Sequence, residues 1–271
     1  MQSAREILEW YVEAGVDVML EDVAINRFAE SEASRQAGKR TKAFTEAKSE
    51  PKQARVPLET SAQSAHIPDA GSAETAREAA NSAKDLEALR NIMSAFTGCN
   101  LKRTAKNTVF ADGNPHSGVM FIGEAPGRDE DLQGLPFVGR AGQLLDRMLS
   151  AINLDREKAY ITNVIPWRPP GNRTPTPQET EICRPFIERH IELVKPKVII
   201  LLGGSSAKTL LQTKDGIMRL RGKWSEVETP HSQTKAMPTL HPAYLLRQPA
   251  HKKLAWQDFL KVRQLLNELS G

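Results

Sequence analysis

Polar side chains that can take part in hydrolysis follow three apolar runs of this sequence. Glu124 lies in the Gly-Glu-Ala-Pro-Gly segment at 123–127, where a carboxylate can orient or activate a water molecule. Asn163 ends a second run, and its side-chain amide carries a donor and an acceptor side by side. His241 follows another run, and an imidazole there can donate a hydrogen bond to an oxygen that gains negative charge. These residue types predict a hydrolytic site if the fold brings them together.

The apolar runs themselves predict strands. Four of them recur in steps of roughly 40 residues with helical patterns between, which is typical of βαβ units. They lie at 119–123, 160–164, 198–202 and 236–240. The sequence therefore predicts an α/β fold, a three-layer α/β/α sandwich with a central four-stranded, mainly parallel sheet. Because functional loops lie at the carboxyl ends of such strands, Glu124, Asn163 and His241 are expected on one rim.

Helical periodicity and composition predict the domain organisation. Helices are expected at 85–96, 141–153, 177–194, 206–212 and 252–269. The helix at 177–194 has the clearest start, because Thr176 can cap it and Glu179 completes a capping box. An amphipathic helix is predicted at 1–20. Residues 21–82 nearly lack aromatic residues and predict a disordered linker, which leaves one catalytic domain at 83–271.

The bulk properties narrow the class of protein. A net charge of +4 favours an anionic partner such as nucleic acid only weakly. Two distant cysteines indicate no disulfide framework and suit a reducing cytoplasm. Four acidic residues between positions 6 and 17 argue against a signal peptide, and no apolar run is long enough to span a membrane. We therefore expect a cytoplasmic protein that acts as a monomer.

Five motifs, taken in order, resemble the family 4 uracil-DNA glycosylases. They are Gly-Glu-Ala-Pro-Gly at 123–127, Pro-Phe-Val-Gly-Arg-Ala-Gly at 136–142, Thr-Asn at 162–163, Arg-Pro-Pro-Gly-Asn-Arg at 168–173, and His-Pro-Ala-Tyr-Leu-Leu-Arg at 241–247. The resemblance covers about residues 96–269, and residues 1–82 lie outside it. It implies an enzyme that hydrolyses the N-glycosidic bond of flipped-out uracil in DNA and so initiates base excision repair, with uracil-containing DNA as its partner.

The resemblance implies four residues that bind uracil. Phe137 matches the position on which the extruded base stacks, although a purely structural role in the core is the alternative. Asn163 matches the residue that reads the base, although asparagine also commonly forms turns after strands. Ala125 and Glu130 match positions in the wall of the same pocket.

The resemblance also implies three catalytic residues. His241 would donate a hydrogen bond to O2 of the departing uracil, and Glu124 would orient or activate the attacking water. Asn172 matches a third position near the reacting bond. Each has a plainer alternative: a chain corner for the His-Pro step, a structural carboxylate for Glu124, and an Asx turn for Asn172.

Residues after the histidine are implied to contact DNA. In the family, the loop that corresponds to Tyr244, Leu246 and Arg247 enters the minor groove and props the duplex open. Arg173 is a further candidate for DNA binding. The alternative for the loop is a helix start that packs against the domain.

The sequence departs from the family at its metal site. Family 4 enzymes hold a [4Fe–4S] cluster on four cysteines, and Cys99 and Cys183 match two of these ligands. Phe96 and Trp167 stand at the other two positions, and neither side chain ligates iron. We therefore expect no cofactor, with the two aromatic rings filling the space of the cluster; the alternative is a labile cluster with ligands from outside the protein.

Two other functions remain open from the sequence. One is a non-catalytic DNA- or nucleotide-binding module on the same fold, because a fold does not fix a function. The turn after the first strand lacks the Lys-Ser/Thr of a phosphate-binding loop, which makes nucleotide hydrolysis a poor fit. The other is an arm at 1–82 that recruits a repair or replication partner, which is compatible with catalysis.

Overall fold

A mixed sheet of six strands runs through residues 71–270, the part of the chain that this computed structural model describes. In chain order the strands are β1 (Ala111–Gly113), β2 (Val119–Gly123), β3 (Tyr160–Asn163), β4 (Val198–Leu202), β5 (Ser225–Thr229) and β6 (Ser232–Thr239). Their order across the sheet is β1-β3-β2-β4-β6-β5. The four central strands are parallel, and both edge strands are antiparallel to their neighbours.

The predicted sheet is corrected from four strands to six. The four parallel strands were predicted, but the edge strands β1 and β5 were not. β1 has only three residues, and β5 exposes Glu226 and Glu228, so neither forms an apolar run. The last parallel strand also begins at Ser232 rather than at 236, because its first half pairs with β5 in a hairpin and alternates in burial.

Ten helices of four or more residues accompany the sheet within residues 71–270. They are α1 (Gly71–Ser82), α2 (Leu86–Ala95), α3 (Asn100–Thr104), α4 (Arg128–Gln133), α5 (Arg140–Ser150), α6 (Pro177–Val194), α7 (Gly204–Leu210), α8 (Ile217–Leu220), α9 (Pro242–Arg247) and α10 (Lys252–Ser270). Short 3₁₀ turns lie at Pro170–Asn172 and Pro249–His251. None of these described helices is both long and apolar enough to cross a membrane.

Both faces of the sheet are covered by helices. The residues of β2 alternate, so that Met120 and Ile122 face one side while Val119 and Phe121 face the other. The first side packs against apolar residues of α2 and α6, and the second against those of α5 and α10. This confirms the predicted three-layer α/β/α sandwich.

The segments predicted as helices within the described residues are helices in the structure, and their ends are shifted by a few residues. The helix at Pro177–Val194 has the predicted bounds and the predicted capping box. The Glu179 amide donates to Thr176 Oγ1 at 3.2 Å, and the Thr176 amide donates to the Glu179 carboxylate at 2.7 Å. These reciprocal bonds satisfy donors that the first turn of a helix leaves free.

The predicted linker extends too far towards the C-terminus. Helix α1 occupies residues that were expected to be disordered, and its Ala76 and Ala80 are fully buried. Arg189 of α6 donates two hydrogen bonds to the carbonyl of Ala83 just after it, at 3.2 and 2.8 Å. Alanines contribute little to an apolar pattern, yet their small size lets α1 pack closely on α6. The predicted helix at 1–20 and the rest of the predicted linker lie outside the described residues.

Candidate active site

A cavity of about 420 Å³ opens at the carboxyl ends of the parallel strands. Ten of the eleven residues predicted for catalysis, uracil binding and DNA binding line it. These are Glu124, Ala125, Glu130, Phe137, Asn163, Asn172, Arg173, His241, Tyr244 and Arg247. The exception, Leu246, packs partly buried against an apolar cluster beside the cavity. The fold therefore gathers on one rim residues that are far apart in the chain.

The side chain of Asn163 is placed by the pairing of two parallel strands. Gly123 at the end of β2 lies beside Asn163 at the end of β3. A Cβ atom on Gly123 would stand 2.3 Å from Asn163 Oδ1, so the glycine provides the space that the amide occupies. Asn163 is 6% exposed, and its Oδ1 has no hydrogen-bond partner among the described residues. An unpaired buried acceptor costs about 1–3 kcal/mol, which a ligand that supplies an N–H would recover.

Phe137 forms part of the cavity wall and of the core beneath it. Its ring is 5% exposed and packs with the apolar cluster on one face of the sheet. The ring also stacks on His241, with 5.6 Å between the ring centroids and 29° between the planes. Phe137 therefore belongs to the core and also forms part of the cavity wall.

Glu130 joins the two loops that flank Phe137. Its Oε1 accepts hydrogen bonds from the amides of Val138 and Gly139, at 3.0 and 2.9 Å. Its Oε2 accepts from the amide of Gly127 at 3.1 Å. Because both oxygens are bound to backbone donors, this carboxylate holds the Gly-Glu-Ala-Pro-Gly loop against the loop that carries Phe137.

His241 is held in a defined neutral form. It caps α9, and its Nδ1 accepts a hydrogen bond from the Ala243 amide at 3.1 Å. An acceptor at Nδ1 leaves the proton of the neutral ring on Nε2, which is then a donor. Burial, assisted by the positive charge of Arg247, lowers the pKa of His241 to about 4. The imidazole is therefore neutral at physiological pH.

Glu124 lies in the cavity wall with its carboxylate free. The side chain is partly buried, and burial raises the pKa of its carboxyl group. Within residues 71–270 no protein group donates a hydrogen bond to this carboxylate, in contrast to that of Glu130. Its oxygens are available to a water molecule or a substrate.

The exposed segment at the mouth of the cavity is fixed by side-chain pairs. Asn172 has φ 54° and accepts a hydrogen bond from Arg168 Nε at 2.7 Å, in place of the Asx turn considered from the sequence. Arg173 donates two hydrogen bonds to the carboxylate of Glu179, at 2.8 and 2.6 Å. This pairing raises the pKa of Arg173 and lowers that of Glu179.

The candidate DNA-binding residues lie on α9 directly after His241. The Tyr244 hydroxyl contacts His251 Nδ1 at 2.6 Å, and the two rings stack. Leu245 is buried, whereas Arg247 at the end of the helix is exposed. The helix start that packs inward is therefore present and leaves a cation at the cavity mouth.

Comparison with known proteins assigns the chain to a family. The model of the uracil DNA glycosylase superfamily matches residues 110–260. The chain belongs to this superfamily. It is 44% identical over 181 residues to the type-4 uracil-DNA glycosylase of Archaeoglobus fulgidus, covering 65% of this chain and 90% of that relative. The Thermotoga maritima type-4 enzyme is 35% identical over 189 residues, covering 68% and 95% respectively. The family 4 resemblance is confirmed.

Phe96 and Trp167, the two residues at which the sequence departs from the family's cysteine pattern, pack together with a third aromatic side chain. Phe96 stacks on Trp167 with 6.2 Å between the ring centroids, and Phe186 meets both rings edge-on. Trp167 is fully buried and donates from Nε1 to Thr108 Oγ1 at 3.1 Å. Below we call Phe96, Trp167 and Phe186 the aromatic cluster.

The residues present do not fit a [4Fe–4S] cluster. Cys99 and Cys183 are both buried with free thiols, and they supply two sulfur ligands where such a cluster takes four. In the described part of the chain no group of three or more His, Cys, Asp or Glu side chains could hold a metal ion.

Two glycines of the site were not given a role from the sequence. Gly123 leaves room for Asn163 and for the Phe137 ring, and a Cβ on Gly142 would stand only 1.6 Å from the Phe137 carbonyl oxygen. Both lie inside the quoted motifs. Their signal is the recurrence of glycine where bulky functional side chains crowd the backbone.

Replacement of Gly123 by alanine should disable the site while the fold remains. The added Cβ would stand 2.3 Å from Asn163 Oδ1 and 2.6 Å from the Phe137 ring, so both side chains must shift. A displacement of about 1 Å can cost about 10²-fold in rate, and we expect a loss of that order in single-turnover excision of uracil.

Gly204→Ala is the matched control, because Gly204 also follows a parallel strand but a Cβ there meets its nearest neighbour at 3.6 Å. This variant should retain the parent rate. Equal rates for Gly123→Ala and the parent would show that Gly123 does not shape the pocket.

Proposed function

We propose that this protein removes uracil from DNA by hydrolysing the N-glycosidic bond between the base and deoxyribose. The observation that carries the proposal is the buried Oδ1 of Asn163, an acceptor without a hydrogen-bond partner among residues 71–270, in the wall of a cavity large enough for one base. The N3–H of uracil is the donor that this atom lacks. The names of the type-4 relatives point to the same substrate.

Asn163 can distinguish uracil from cytosine by the direction of its amide. With Oδ1 towards N3, its Nδ2 donates to O4 of uracil, so both atoms of the amide are paired. Cytosine presents an unprotonated N3 to Oδ1 and an amino group to Nδ2, which leaves acceptor against acceptor and donor against donor. A site built for one pattern of hydrogen bonds rejects the other, because buried polar groups then remain unpaired.

The base must leave the helix to reach this pocket. We propose that the extruded uracil stacks on Phe137, an interaction that is worth about 1–3 kcal/mol for aromatic side chains and bases. Ala125 would contact the ring edge, and Glu130 would keep the two pocket loops in register rather than reading the base, since its oxygens are bound to backbone amides.

The residues of α9 are proposed to hold the opened duplex. Arg247 is exposed at the cavity mouth, where it can replace phosphate counterions or fill the space that the base vacates. Tyr244 and Leu246 would support that contact from the protein side. Arg173 keeps its charge but shares it with Glu179, so we expect a smaller contribution to DNA affinity from Arg173 than from Arg247.

Two side chains, His241 and Glu124, would take part in bond cleavage. As the C1′–N1 bond breaks, its electron pair leaves with uracil. Negative charge collects on O2, and this oxygen accepts a hydrogen bond from His241 Nε2. Glu124 orients a water molecule whose oxygen attacks C1′, and the carboxylate accepts a proton from that water. Uracil leaves as an anion and takes up a proton from solvent, while Glu124 returns its proton to solvent, so the products are free uracil and an abasic sugar. Asn172 lies at the mouth, where it can help to position the sugar.

We further propose that the protein works as a cytoplasmic monomer without a cluster. In its place, the aromatic cluster links the segments before β1 and after β3, since Phe96 and Trp167 occupy two of the four ligand positions of the family. Aromatic pairs contribute about 0.5–1.5 kcal/mol beyond the burial of their surface, which suits a purely structural role.

The direct test is incubation of the protein with a duplex that carries one uracil, followed by alkali, which cleaves the strand at an abasic site. Strand cleavage at the uracil position supports the proposal. Binding without cleavage would instead favour the non-catalytic DNA-binding module. Duplexes with other deaminated bases in the same assay define the range of substrates.

Replacement of His241 by alanine should lower single-turnover excision by about 10²-fold or more, with little change in DNA binding. The donor at Nε2 meets charge that develops only as the bond breaks, so it acts on the transition state. Rates are measured on a uracil duplex, and binding by anisotropy on an uncleavable analogue. The exposed His116→Ala is the control and should retain the parent rate.

The size of this loss should not change between about pH 5.5 and pH 8, because the pKa of His241 is lowered to about 4 and the ring stays neutral across that window. Protonation would begin only as the pH falls towards that value. A rate loss that tracks a titration near pH 6.5, or one matched by an equal loss of affinity, would contradict the assignment.

Asn163→Asp should weaken discrimination between uracil and cytosine. A carboxyl group can accept from the cytosine amino group, which Nδ2 of the asparagine cannot do. We expect slower excision of uracil together with measurable excision of cytosine in the same duplex. Asn114→Asp, an exposed residue of the loop before β2, is the control. Unchanged activity on uracil in the Asn163 variant would place Asn163 outside the pocket.

The protein should be colourless and free of iron and acid-labile sulfide, even when it is purified without air. Two of the four thiolates that a cluster takes are missing, and their positions hold Phe96 and Trp167. Iron and sulfide analysis and the absorbance near about 400 nm provide the measurement. Stoichiometric iron and sulfide in the anaerobic protein would overturn this prediction.

A further inference from the structure

We propose that Arg156 positions the base-stacking ring of Phe137 by holding its backbone in a strained conformation. Arg156 lies between α5 and β3, outside the cavity lining, and no role was assigned to it above. The inference rests on the proposed function, because it explains how the pocket keeps a flat surface ready for uracil.

The backbone of Phe137 is in the left-handed region, with φ 55°. A bulky side chain rarely adopts this conformation, which is strained and persists only when neighbouring contacts enforce it. Gly142 allows it, because any side chain there would collide with the Phe137 carbonyl oxygen. A missing side chain makes room but does not hold the peptide in place.

The guanidinium of Arg156 supplies the holding contacts. Its Nη2 donates to the Phe137 carbonyl at 2.5 Å, and its Nη1 donates to the Pro136 carbonyl at 3.2 Å. The remaining donors bind Asp112 through Nη1 at 2.5 Å and Asp146 through Nε and Nη2 at 2.9 and 3.4 Å. All five N–H groups of the side chain are therefore in use.

These partners connect the loop to the rigid part of the fold. Asp112 belongs to β1 and Asp146 to α5, so the guanidinium is fixed from two elements of regular structure. On the other side of Phe137, the Glu130 carboxylate binds the amides of Val138 and Gly139. The strained residue thus lies between a cation that binds the carbonyls and an anion that binds the amides.

The conformation decides where the aromatic ring lies. In the left-handed form the ring stacks on His241 and reaches the space above Gly123, where an added Cβ would meet it at 2.6 Å. Relaxation of the backbone would move the ring away from both the histidine and the cavity. Arg156 therefore acts on excision through Phe137 and does not touch the substrate, which makes it a positioning residue.

Lysine is the informative replacement for Arg156. It keeps a positive charge for Asp112 and Asp146, but a single ammonium lacks the planar fork that reaches two carboxylates and two carbonyls at once. We expect Arg156→Lys to lower single-turnover excision of uracil by about 10-fold or more, with unchanged affinity for an abasic duplex.

Arg221→Lys is the matched control. Like Arg156, Arg221 binds a carboxylate, here that of the buried Asp258, and a backbone carbonyl, that of Leu254, but it does not line the cavity. It should lose thermal stability and keep the parent rate per folded molecule. A parent rate in Arg156→Lys, with active parent protein, would overturn this inference and leave the proposed function intact.

A double-mutant cycle tests whether the effect passes through the ring. In a Phe137→Leu background, Arg156→Lys should change the excision rate by less than about two-fold, because the flat surface is already absent. If the rate losses of the two single variants multiply in the double variant, the proposal is overturned.

Amide hydrogen exchange gives a readout that is independent of activity. The amides of Val138 and Gly139 should exchange faster in Arg156→Lys than in Arg221→Lys, and equal exchange in the two variants would also overturn the proposal.

Discussion

The parallel pairing of β2 with β3 is the constraint on which the site depends. It sets Gly123 beside Asn163 at the carboxyl rim of the sheet. From that register follow the room for the asparagine amide and the contact of the Phe137 ring with the same glycine. His241 reaches the same rim from β6, which pairs with β4. A shift of one residue would turn Asn163 to the opposite face, because strand side chains alternate, and would remove its side-chain amide from the cavity.

Rigid geometry around neutral groups is the common feature of this pocket. Asn163 and His241 carry no charge, and under the proposed function their selectivity comes from the fixed direction of an amide and an imidazole N–H. The charged residues Glu130 and Arg156 bind backbone groups and hold the loops. Such preorganisation lets weak neutral donors act on the transition state without reorganisation during the reaction.

The aromatic cluster joins segments of the chain that lie far apart in the sequence. Phe96 and Trp167 stack where the family places two cysteines, while Cys99 and Cys183 remain buried beside Phe186 in the same apolar core. The segments before β1 and after β3 are therefore joined by dispersion and burial of apolar surface. None of the three aromatic residues lines the cavity.

The sequence by itself determined the parallel strands, the main helices and the residue types of the site, because apolar periodicity, caps and motifs are local signals. Only the tertiary structure decided the edge strands and helix α1, whose short, polar or alanine-rich segments gain their stability from neighbours. It also decided how Phe137 is held. The carbonyl of Phe137 binds Arg156, which lies 19 residues later in the chain. No local sequence pattern predicts this contact, because it forms only after α5 and β3 have packed. The unpaired oxygen of Asn163 belongs to the same class, since burial and the absence of a partner within residues 71–270 are properties of the packed chain.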